Sequence, residues 1–111
     1  MRINILAEDD PLYPVQAFFN TVLPGSFILV LENLVRGSGA GINGVGCDFP
    51  ADLDPGEETF EGVRCYLYED SVVLDEDTFA RFVRLACEAY LSEYPEDKGH
   101  IDTLLESRGW A

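Results

Sequence analysis

In two stretches, Ile42 to Phe49 and Thr59 to Asp70, the apolar residues of this chain recur at every second position, whereas on both sides they recur three and four apart. Alternation by two marks strands with one buried face, and spacing by three and four marks helices with one buried face. Helical patterns therefore bracket a block of strands, and the order reads α-α-β-β-β-α-α. This predicts an α+β fold in which a small three-stranded antiparallel sheet packs with about four helices. At 111 residues the chain has room for one domain, 1–111, with a real core, but not for a cofactor domain and a substrate domain together.

The flanking helices carry their own punctuation. Pro14 suits a first helical turn, Val15, Phe18, Phe19, Val22 and Leu23 form one stripe, and Pro24-Gly25 ends it. "SFILVLENLVRG" reads as a helix capped by Ser26 and closed by Gly37, with Phe27, Leu31, Leu34 and Val35 inward. In the sheet block, Phe60, Arg64, Tyr66 and Tyr68 share one face and Val63, Cys65 and Leu67 the other, and Asp70-Ser71 turns the chain into "VVL". Asp75 then caps a helix with the stripe Phe79, Phe82, Val83, Ala86 and Tyr90. Beyond Pro95 a last helix buries Ile101, Leu104 and Leu105, and Trp110 covers its end.

Gly39-Ala40-Gly41-Ile42-Asn43-Gly44 has the spacing of a dinucleotide-binding fingerprint. That fingerprint works when a strand leads into the glycines and a helix N-terminus follows to meet the phosphate. Here a helix precedes and a strand follows, so the glycines are read as a helix cap and as turns, a bulge or close backbone approach in an edge strand. No cofactor is expected. Nor is a metal: "DLDPGEETFEG" opens like a calcium loop, but it puts Gly56 at a ligand position and Glu57 where the turning glycine belongs. Cys47, Cys65 and Cys87 form no paired motif, and the first residues reach acids and prolines too soon for a signal peptide, so a reduced, cytoplasmic protein is expected. The one histidine, His100, falls on the polar side of the last helix, which leaves no catalytic residue and no enzyme.

Charge bounds the partners. Twenty-one acids against seven bases give −14. Nucleic acid and anionic membrane bind through Lys and Arg, so both are excluded and a basic partner is favoured. The acids cluster: from Asp48 to Asp77 there are eleven of them and one base, Arg64. The residues expected to meet a basic partner are Asp48, Asp52, Asp54, Glu57, Glu58, Glu61, Glu69 and Asp70. The interleaved aromatics Phe49, Phe60, Tyr66 and Tyr68 either anchor that interface or pack against the helices.

The C-terminal part, "VVLDEDTFARFVRLACEAYLSEYPEDKGHIDTLLESRGW", resembles the end of bacterial immunity proteins from contact-dependent growth inhibition and related polymorphic-toxin systems, in particular those described as immunity to ribonuclease toxins. The shared features are a strand ending in "VxL", an acid-capped helix with Phe79 and Tyr90, "YPED", and a last helix with Ile101, Leu104 and Leu105. The resemblance implies a non-enzymatic protein that binds a cognate toxin domain, a basic nuclease, and blocks its active site or RNA groove. The alternative is an acidic adaptor or small-molecule-binding module with no toxin partner.

Overall fold

The structure, a computed structural model, describes residues 2–111. Two helices come first, α1 (Tyr13–Thr21) and α2 (Phe27–Val35); then four strands, β1 (Ala40–Ile42), β2 (Val45–Asp48), β3 (Val63–Leu67) and β4 (Asp70–Leu74); then α3 (Glu76–Leu91) and α4 (Lys98–Arg108). The strands form one antiparallel sheet in the order β1-β2-β3-β4. The class is the expected α+β, with one strand more than the alternation suggested.

The extra strand comes from Asn43-Gly44. Both residues hold positive φ, 52° and 82°, and they join Ile42 directly to Val45 in a two-residue hairpin. Such turns match the right-handed twist of the strands they join, which is why Asn-Gly favours them. The run from Ile42 to Phe49 is therefore a turn and a strand rather than one strand. The second turn also lies elsewhere than expected: Tyr68-Glu69 reverses the chain, and Asp70-Ser71 already belongs to β4. Ser26 makes no capping bond, because Pro24–Ser26 forms a short 3₁₀ turn that runs straight into α2. Leu23, expected inward, is exposed.

The core lies on one side of the sheet. Val45, Cys47, Val63, Cys65 and Leu74 point inward and α1 packs against them, with α3 behind α1 and α4 against α2. Phe79 is fully buried, with its ring 5.9 Å from that of Phe19, 6.0 Å from Phe49 and 5.8 Å from Trp110. Of the helix caps read from sequence, Asp75 and Gly37 are present and Ser26 is not. Asp75 Oδ1 accepts the Thr78 amide at 2.7 Å, and this bond holds the Asp75 carboxyl below its ordinary range. Gly37 closes α2 at φ 76° and Gly109 closes α4 at φ 78°.

The N-terminal segment is fastened by side-chain amides. Asn20 accepts from Ile3 N and donates to Ile3 O, both at 2.8 Å. Buried Gln16 accepts from the amides of Ile5 and Leu6 at 2.9 Å. These bonds satisfy backbone groups as a neighbouring strand would, and they lead Glu8 to Asp10 to the rim of the sheet. Among the described residues, no single helix is long and apolar enough to cross a membrane; α1 and the stretch Pro24–Val35 pass together by composition but are bent by 91°.

Candidate interaction surface

The carboxylates expected to meet a partner occupy two places. Asp48 ends β2 and bonds Arg64, its cross-strand partner, at 2.9 Å, while the Arg64 guanidinium lies over the Phe60 ring. Asp54, Glu57, Glu58 and Glu61 are exposed along the loop that enters β3, with the Asp54 amide donating to Glu57 Oε1 at 3.1 Å. Glu69 and Asp70 are exposed at the other end of β3. The length of that strand, roughly 17 Å for five residues, separates the two groups.

Asp52 has a different task. Its Oδ2 accepts from Phe49 N at 2.7 Å and from Gly39 N at 2.8 Å, tying the acidic loop to the glycine segment. Asp52→Ala is expected to lower stability by about 1 kcal/mol, as the loss of a backbone-capping carboxylate does, and Asp52→Asn to recover most of it. Urea unfolding with an unchanged m-value checks both.

Three acids that sequence reasoning passed over join Asp70. Glu8, Asp9 and Asp10 line a cleft of about 390 Å³ with Asp70, Ser71 and Tyr13. They lie sixty residues from Asp70 in sequence, and only the pinning of the N-terminal segment by Gln16 and Asn20 brings them together. The signal was the run Glu8-Asp9-Asp10 before a proline. Among the described residues, no group of three or more His, Cys, Asp or Glu is placed to hold a metal ion.

Between the two acidic ends lies the outer face of the sheet. Alternation sends Gly46 and Asp48 of β2, Arg64 and Tyr66 of β3, and Ser71 and Val73 of β4 to this side, opposite the core. Of the aromatic residues, Tyr66 therefore faces away from the helices, whereas Phe49 is buried against Phe79 of α3. Tyr66 lies flat across the first two strands because glycine stands beneath it: a Cβ on Gly41 would come within 2.4 Å of the Tyr66 hydroxyl oxygen, and one on Gly46 within 2.5 Å. Burial, with the charge of Asp48 adding to it, raises the Tyr66 phenol above its ordinary range and keeps it neutral. Tyr68 sits at φ 56° against Gly44 and is 73% exposed; Val73 is 48% exposed.

The same geometry accounts for the fingerprint-like glycines. The amide of Gly39 is already bonded by the Asp52 carboxylate, and Ala40 to Ile42 pair with β2. A phosphate would meet a carboxylate where it needs a donor. The cysteines offer no nucleophile either. Cys47 and Cys65 face each other fully buried, where their mutual hydrogen bond and burial raise the Cys65 thiol far above its ordinary range, and burial pushes Cys87 up to about 12. His100 is exposed on α4.

A family model of CDI immunity proteins matches residues 11–105. The chain belongs to the CDI immunity protein family. Its members neutralise a cognate toxin of contact-dependent growth inhibition and typically act by binding rather than by catalysis. The match covers α1, the glycine segment, the acidic loop and all four strands, well beyond the C-terminal resemblance visible in the sequence. Glu8 to Asp10 and Trp110 lie outside the matched span. No curated protein matches the chain.

Proposed function

We propose that this CDI immunity protein acts in the cytoplasm by binding a basic nuclease toxin, an RNase, and covering its active site or RNA groove with carboxylates that take the place of RNA phosphates. Asp48, Asp52, Asp54, Glu57, Glu58, Glu61, Glu69 and Asp70 are the proposed contacting acids, with Asp52 acting chiefly through the loop it fastens. One observation carries the reading: these eight carboxylates stand against a single base, Arg64, which is already bonded to Asp48. An RNase must present cations to its substrate, and a surface of opposite sign accelerates encounter with it.

Stopped-flow association with the purified toxin domain, from low to high salt, tests this. Attraction between exposed charges is screened beyond about 8 Å at physiological ionic strength, so the association rate is expected to fall by about tenfold or more between 20 and 500 mM NaCl. Co-expression should also protect cells from RNA degradation by the toxin. A rate indifferent to salt, or a toxin that leaves RNA intact, would overturn the proposal.

A further inference from the structure

A sheet face that only meets water is usually lined with polar β-formers. This one instead has glycine at Gly41 and Gly46, and glycine inside a strand costs roughly 0.5–1 kcal/mol relative to alanine. What the glycines provide is a shallow depression of about 450 Å³, floored by backbone and overlapped by the Tyr66 ring. Elsewhere on the sheet Val73, on the opposite edge strand β4, and Tyr68, in the β3–β4 turn, are exposed, and the described helices pack against the inner side. Aromatic and apolar groups at the centre with charge at the rim is the anatomy of a protein interface.

Resting on the reading just proposed, we infer that the toxin docks on this outer face of the sheet, with Tyr66 at the centre of the contact and Tyr68 and Val73 extending it to the β3–β4 turn and the edge strand. Charge selects the occupant. Asp48 and the exposed loop acids lie at one end of the face and Glu69, in the β3–β4 turn, at the other, while Asp70 is paired with Leu67 and turns to the helix side, so a cationic protein surface is the complement. Size extends the contact. Four strands about 4.8 Å apart and at most five residues long cover roughly 300 Å², well under the roughly 800 Å² that one partner contributes to a standard interface. The toxin must therefore continue onto the acidic loop, which makes loop and sheet face one continuous docking surface.

The test uses the cognate toxin domain, purified as an inactive variant, with affinity measured by calorimetry at 150 mM NaCl. Val73→Arg places a cation in the face, and Tyr68→Asn removes the ring while tolerating the left-handed backbone. Each is expected to weaken binding by about 30-fold, the scale of an interface hot spot. Leu29→Arg, at an exposed position of α2, should change it less than threefold. Should both face variants bind within threefold of the parent, the docking face is overturned and the toxin reading stands; should the parent itself fail to bind, both fall. Circular dichroism checks that each variant folds. Hydroxyl-radical footprinting of the unmodified complex answers the question without substitution: protection of Tyr66 and Tyr68 supports the docking face, and undiminished labelling overturns it.

Discussion

Trp110→Ala is expected to lower the unfolding temperature by about 10–25 °C, given roughly 3–5 kcal/mol for truncating a buried tryptophan and about 3–6 °C per kcal/mol in a domain of this size. Although it is the penultimate residue, Trp110 is only 3% exposed. Its ring meets Phe79 edge-on at 5.8 Å, and the Arg108 guanidinium lies over it at 5.4 Å. Its Nε1 donates to Glu76 Oε1 at 3.0 Å, where Arg108 Nε also bonds at 2.7 Å, and its carbonyl accepts from Arg84 at 2.9 Å. One side chain thus closes the core at Phe79 and fastens α4 to the first turn of α3. Trp110→Phe separates the two roles, keeping a ring but losing the bond to Glu76, and is expected to recover more than half of the loss. Differential scanning calorimetry decides the matter: an alanine variant melting within about 3 °C of the parent would show that the tail contributes little.

The second large effect concerns binding. Replacing Asp54 with Asn and Glu57, Glu58 and Glu61 with Gln removes four exposed charges while leaving Asp52 to hold the loop. At about 0.5 kcal/mol for each exposed pair formed with the cationic toxin proposed above, the variant is expected to lose about 2 kcal/mol of affinity, or about 30-fold. Most of the loss should appear in the association rate, since rim charges steer encounter more than they hold the complex. The melting temperature should stay level or rise slightly, because the substitutions relieve repulsion among like charges. Surface plasmon resonance and a thermal melt separate these outcomes. If affinity is unchanged, the loop is not part of the contact.

Much of the fold was legible because helical stripes and caps are local. Phe27, Leu31, Leu34 and Val35 are all buried, as their spacing required, and Asp75 caps α3 through Thr78. The sheet was less legible, since its turns hold backbone conformations that hydrophobic alternation does not register. Asn43-Gly44 did carry a local signal for a two-residue hairpin, but it was hidden within a glycine-rich run whose other members suggested looser structure. Tyr68 carried none, because a bulky residue at positive φ runs against propensity.

The acidic surface was legible only in part. Charge density along the sequence found Asp48 to Asp70, but it could not separate Asp52, which holds the backbone of Gly39 and Phe49, from the outward-facing Glu58 and Glu61. Glu8 to Asp10 went unnoticed because their neighbourhood is set by Gln16 and Asn20, whose amides read in sequence as ordinary polar residues of a helix.

The two-residue period of the strands divides labour along the gene. Codons 46, 48, 64, 66, 71 and 73 write the outer face, while their neighbours 45, 47, 63, 65, 72 and 74 write the inner one. On the docking face proposed above, mutation can therefore revise most outer side chains one codon at a time without disturbing the core, Gly46 excepted, because a Cβ there would meet the Ala40 carbonyl oxygen at 2.5 Å.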